Sequence, residues 1–185
     1  IDPTLVGRAI TAKTKAIMPV HLFGRPVDLR VFGVAHGIPV VEDAAQAIFA
    51  MTPGGHTGAL GAIGCFSFFP TKNLGALGDG GLCTMHDAGL YERARTLRVQ
   101  GAKPKYNHLL VGGNFRLDTL QAAFIAAKLP EIDALNARRR EHAAAYEAGF
   151  TELVSRGVLR TPGLVDGHVY HQYVVYTPER DRLAK

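Results

Sequence analysis

Cys65-Phe66-Ser67-Phe68-Phe69-Pro70-Thr71-Lys72-Asn73-Leu74-Gly75 is the stretch that decides the fold. Its apolar start predicts a buried strand. Pro70 stops that strand, and the chain then runs into a lysine set among small and glycine residues. Upstream, Ile38-Pro39-Val40-Val41-Glu42-Asp43-Ala44-Ala45-Gln46 predicts a second apolar strand ending on a carboxylate. Ligands in α/β sheets gather at the carboxyl ends of strands, where Asp43 and Lys72 both fall.

Working outward, strands are predicted over Lys15–Val20, Ile38–Val41, Ile63–Phe69 and Gly81–His86. Helical spacing covers Asp28–His36, stopped by Gly37, and a short helix is expected from Ala44. Further helices are read over Ala88–Gln100 and Asp118–Lys128, the second capped by Asp118. After Pro130 a long helix runs to Arg156 and stops at Gly157. Val158–Arg160 and His168–Thr177 read as strands. This alternation implies an α/β fold, a mostly parallel sheet with helices on both faces.

The chain of 185 residues, 47% hydrophobic, is long enough to bury a sizeable core. No run of 18 uncharged apolar residues occurs, so no membrane span is expected. Cys65 and Cys83 lie in apolar contexts without metal spacing; two buried thiols are expected, which fits a reducing cytoplasm. The net charge is +5, but Arg138-Arg139-Arg140 is interleaved with Glu131, Asp133, Glu141 and Glu147. That pattern predicts a solvated helix face and no nucleic-acid partner. Arg95, Arg98, Lys103 and Lys105 flank a glycine turn and are candidates to meet a nucleotide diphosphate. His21, after a strand, is a candidate neighbour of a substrate. His168 and His171 would fall on opposite faces of a strand and could not share a metal.

An amine, an acid, an amide and a hydroxyl around one point suit a particular chemistry. A lysine amine can hold an aldehyde cofactor as a Schiff base. Pyridoxal 5'-phosphate is such a cofactor, and it is a better electron sink while a carboxylate keeps its pyridine nitrogen protonated. Ser67 could then donate to the phosphate and Gln46 could contact the ring. Each residue also has a plain alternative. Asp43 could cap a helix, Ser67 could be a strand serine and Lys72 a loop lysine. Gln46 could be a polar helix residue and Asn114 a turn residue.

The blocks Asp43-Ala44-Ala45-Gln46, Phe66 to Gly75, Gly78-Asp79-Gly80-Gly81 and Gly113-Asn114-Phe115-Arg116-Leu117-Asp118-Thr119-Leu120-Gln121-Ala122-Ala123 settle these choices jointly. In this order they resemble the DegT/DnrJ-type sugar aminotransferases, which share the fold of aspartate aminotransferase. The resemblance implies fold type I of the pyridoxal-phosphate enzymes. It makes Lys72 the Schiff-base lysine, Asp43 the pyridinium partner, Gln46 a ring contact and Ser67 a phosphate ligand. Asn114 matches an asparagine that reaches the phosphate of the neighbouring subunit, which implies a homodimer. The expected reaction is amination of a nucleotide-linked keto sugar, with glutamate or glutamine as donor. Related dehydratases carry histidine where this chain has Lys72. A non-catalytic binding or regulatory relative is the alternative from another class.

By the same resemblance, residues 1–130 would be the C-terminal part of the cofactor domain. Residues 131–185 would be a linking helix and the start of a smaller domain. Ile1 matches the middle of the family's cofactor domain, so a piece of a longer enzyme is expected. The upstream phosphate cup and the aromatic ring that stacks on the cofactor have no counterpart here.

Overall fold

The computed structural model describes residues 1–31 and 37–184. Helix α1, Pro3–Ala9, leads toward a sheet whose first named strand is β1, Val41–Asp43. A small hairpin, β2 (Met51–Thr52) and β3 (Gly55–His56), follows, and then β4, Ile63–Ser67, and β5, Gly81–Thr84. Strand order in the main sheet is β1-β4-β5. β1 and β4 are parallel, with Asp43 opposite Cys65. β5 returns antiparallel to β4 and sets Gly81 opposite Ser67.

The predicted strand at Lys15–Val20 exists as two parallel bridges, Ile17 to Val40 and Val20 to Asp43. Pro19 sits between them and has no N–H to donate, so no continuous ladder forms. Its carbonyl still accepts the Asp43 N–H at 3.0 Å. Of the predicted helix Asp28–His36, Leu29–Val31 is a short 3-10 turn and 32–36 lie outside the described residues.

No helix follows Ala44; the chain makes two successive turns, closed by Ala47 N–H to Ala44 O and Ala50 N–H to Ala47 O. Thr57 accounts for this. Its hydroxyl donates to Ala47 O at 2.6 Å and its N–H to Ala50 O at 3.0 Å, taking carbonyls that a helix would use. Phe49, at φ 61°, then breaks propagation. The predicted strand His168–Thr177 is likewise reduced to one bridge, Arg160 to Tyr176, with Tyr170 at φ 40° interrupting the run.

The helices follow their end signals more closely. Asp87 accepts the Leu90 N–H at 2.7 Å and starts α2, Ala88–Arg98. Asp118 precedes α3, Thr119–Lys128, at the cap position, but its side chain makes no capping bond. Pro130 lies in a 3-10 turn, Leu129–Glu131, that leads directly into α4, Ile132–Ser155. Gly157, at φ 69°, ends α4. A last short helix, α5, spans Arg180–Leu183.

Two apolar clusters bracket the residues of interest. Phe68, Leu74 and Ala76, around the lysine turn, pack on Ile125 of α3 and Ile132 of α4. Ala44, Ala47 and Ala50 pack on Val169. The thiols depart from expectation: Cys65 is half-buried and Cys83 exposed, facing each other across β4 and β5. Desolvation, with the neighbouring Cys83, pushes the Cys65 thiol up to about 11.

Candidate active site

Residues registered across parallel strands share a face, and so do residues two apart on one strand. Asp43, Cys65 and Ser67 therefore project from the same face of β1 and β4, at or next to their carboxyl ends. Asp43 Oδ1 accepts the Ala45 N–H at 3.1 Å, and Oδ2 makes no hydrogen bond among the described residues. Ser67 Oγ accepts the Phe69 N–H at 3.2 Å, which leaves its own proton to donate. Both groups keep capacity for a ligand: a carboxylate oxygen in one case, a hydroxyl donor in the other.

Lys72 sits in the turn that follows β4. The last rung of the β4–β5 ladder is Phe68 N–H to Gly80 O at 2.8 Å, and Ala76 N–H closes back on Phe68 O at 2.7 Å. Inside this loop the Lys72 N–H donates to Phe69 O at 2.9 Å. Gly75 is required here, because a Cβ at this position would collide with the carbonyl oxygen of Pro70. α3 tethers the loop twice: Lys128 Nζ donates to Gly75 O at 2.7 Å, and Gln121 Oε1 accepts the Leu77 N–H at 2.8 Å. The Lys72 amine, half-buried, makes no hydrogen bond among the described residues.

Gln46 spends its carbonyl on the backbone, accepting the Phe23 N–H at 2.8 Å and holding that residue at φ 61°. Its amide protons remain available to a ring oxygen. Asn114 makes no hydrogen bond to Asp43, Gln46, Ser67 or Lys72 among the described residues. It is exposed, bridges Val99 at the end of α2, and accepts from Arg116 Nε at 3.0 Å.

His21, the candidate substrate neighbour, is instead fully buried. Its Nδ1 accepts the Val27 N–H at 2.9 Å, so Nε2 carries the proton and donates to Glu42 Oε2 at 3.0 Å. Glu42 also accepts N–H groups from Gly58 (2.7 Å), Leu60 (2.7 Å) and Gly61 (2.6 Å). Burial pushes the Glu42 carboxyl up, but His21 and the three backbone donors outweigh it and hold it below the usual range. This network lies on the face opposite Asp43 and locks β1, while His21 N–H donates to Asp43 O at 3.0 Å. Sequence reasoning missed it. The one available signal was the alternation that turns Glu42 away from Asp43.

The basic groups are less free than their sequence suggests. Arg95 and Lys103 both pair with Glu92, at 3.3 and 2.7 Å. Arg139, expected in solvent, is half-buried and donates to the carbonyls of Tyr170 and His171. Among the described residues no group of three or more His, Cys, Asp and Glu side chains could hold a metal ion. No described helix is long and apolar enough to cross a membrane.

A mixed sheet thus sets the Asp43 carboxylate and the Ser67 hydroxyl at its strand ends, with the Lys72 turn following β4. The whole chain, residues 1–185, belongs to the DegT/DnrJ/EryC1/StrS aminotransferase family. It is 49% identical to the pleiotropic regulatory protein of Geobacillus stearothermophilus, over 99% of this chain and 50% of that protein. It is 44% identical to the dTDP-3-amino-3,4,6-trideoxy-alpha-D-glucose transaminase of Streptomyces venezuelae, over 99% of this chain and 49% of the relative. The solved structure of S. venezuelae DesV in complex with a ketimine intermediate superposes with a TM-score of 0.90 at 41% identity, covering 99% of this chain and 50% of DesV. The fold is thus that of the family's aminotransferases. The chain spans about half the length of the relatives it matches.

Proposed function

We propose that the protein to which this chain belongs is a pyridoxal 5'-phosphate-dependent aminotransferase that converts a nucleotide-linked keto sugar into an amino sugar, with glutamate or glutamine as donor. The observation that carries this reading is the shared face of Asp43 and Ser67, with the Lys72 turn following directly on β4. The name of the S. venezuelae relative, a dTDP-sugar transaminase, supports the substrate class. Residues 1–130 are assigned to the cofactor domain and 131–185 to the linking helix and the start of the smaller domain, in a cytoplasmic homodimer.

The residues present fit the cofactor. Lys72 would hold its aldehyde carbon, Asp43 its ring nitrogen, Gln46 its ring oxygen and Ser67 its phosphate, with Asn114 serving the neighbouring subunit's site. When bound, the cofactor supplies an electron sink for the carbon that gains or loses the amine. Asp43, fixed by Ala45 and by the locked β1 strand, would face the ring nitrogen with its carboxylate. The Lys72 amine would move a proton at the reacting carbon. The tethers from Gln121 and Lys128 hold the turn that carries it.

The regulatory name of the G. stearothermophilus relative favours a second reading, a binding protein on the same fold. Incubating the full-length protein with nucleotide-linked keto sugars and glutamate or glutamine separates the two. Amino-sugar formation that disappears in Lys72→Ala supports the enzyme. Absence of product across the substrate panel, with ligand still bound, favours the binding protein.

A further inference from the structure

Asn73, next to Lys72, is only 7% exposed, and its side chain is fully engaged. Nδ2 donates to Asn136 Oδ1 of α4 at 2.8 Å and to the Val169 carbonyl at 3.3 Å. Oδ1 lies 2.9 Å from His171 Nδ1. With the amide nitrogen committed as a donor, Oδ1 must accept, so His171 Nδ1 carries the ring proton. Nε2 is then the lone-pair nitrogen, and it makes no hydrogen bond among the described residues. The backbone beside the ring is pinned as well: Arg139 Nη1 of α4 donates to the carbonyls of Tyr170 and His171, each at 3.3 Å. The lysine turn, α4 and the 168–171 segment therefore meet through one buried polar cluster.

We propose that His171 is a positioning residue for Lys72, holding the lysine turn from the C-terminal side by donating its Nδ1 proton to Asn73 Oδ1. The proposal rests on the reading of Lys72 as the cofactor lysine and adds a residue which that reading leaves unassigned. The charged groups facing the ring are Lys72 from the turn and Arg139 from α4. Burial first, then these two cations, holds His171 below the usual histidine range. Protonation would occur at Nε2. It would leave the bond to Asn73 in place while adding a third positive charge at the turn.

Two measurements on the full-length protein test this. In the first, the His171 ring is titrated by NMR without cofactor, in the wild type and in Lys72→Met. Removing the lysine charge should raise the His171 midpoint. An unchanged midpoint overturns the proposal. In the second, pyridoxal phosphate is added, the mixture is reduced with borohydride, and the yield of adduct on Lys72 is read by peptide mass. His171→Asn, whose amide N–H can replace Nδ1–H, should label like the wild type. His171→Leu should label roughly tenfold less, with an unchanged circular dichroism spectrum, because a displaced amine is a poor nucleophile for a bound aldehyde. Equal labelling of the two variants overturns the proposal. If the wild type gives no adduct while the NMR shift remains, the cofactor reading fails and the coupling of His171 to Lys72 stands.

Discussion

Replacing Glu42 by glutamine preserves its shape and removes its charge. In the native carboxylate, Oε2 accepts from His21 Nε2 and Gly58 N–H, and Oε1 accepts from Leu60 and Gly61 N–H. A glutamine amide nitrogen can accept from none of these, so either orientation faces two donors with an NH2 group. His21 cannot escape by changing tautomer, because its Nδ1 already accepts the Val27 N–H. Hydrogen bonds to a charged group are worth about 1.5–3 kcal/mol each, so losing two costs about 3–6 kcal/mol. Against a typical domain stability of about 5–15 kcal/mol, that is a large fraction. Urea unfolding followed by circular dichroism should show the loss, with the midpoint lowered by roughly 2 M for an m-value of about 2 kcal/mol/M. The pH dependence gives a second check. A depressed carboxyl contributes stability above its unfolded pKa and loses it as pH falls through the folded value, so Glu42→Gln should flatten the acid limb. A loss below about 1 kcal/mol would refute the reasoning, since the orphaned donors would then have found water.

Three further outcomes are expected. Burial, with the nearby Arg25 charge also opposing protonation, lowers His168 to about 4. The unfolded chain therefore binds the proton first, and stability falls between about pH 6.5 and 4. About 2 kcal/mol should be gone at pH 5, and His168→Gln should show less of this dependence in urea titrations at pH 7.5 and 5. Gly75→Ala should reduce Lys72 labelling by pyridoxal phosphate more than it lowers thermal stability, because the new Cβ strikes Pro70 O inside the lysine turn. Unimpaired labelling would show that the turn tolerates a side chain. Asp43→Asn keeps an acceptor for Ala45 but no charge. Lys72 should still be labelled while amination by the full-length protein falls about 10²-fold or more, and near-normal turnover would remove Asp43 from the ring nitrogen.

What the sequence disclosed follows from how local each signal was. The apolar run to Pro70 acts within a few residues, and β4 and the lysine turn appear where they were read; α2 starts at Ala88 as read, on an Asp87 cap that the sequence reading did not name. The alanines after Asp43 promised a helix. They became turns because Thr57, distant in sequence, took their carbonyls. The His21–Glu42 pair was hidden for a similar reason: its backbone donors come from a loop 16 to 19 residues beyond Glu42. Asn73 was the hardest to read, since its partners lie 63 and 98 residues away in α4 and near the C-terminal end. Motif order identified Lys72 and Asp43 as candidates, but nothing local marked the groups that hold them.

The central claim is that Lys72 carries pyridoxal phosphate. Mixing the purified full-length protein with the cofactor, reducing with borohydride and mapping the adduct by peptide mass tests it directly. The account predicts one modified residue, Lys72, and loss of the adduct in Lys72→Ala. A modified lysine elsewhere, or an unmodified Lys72 in folded protein, would contradict it.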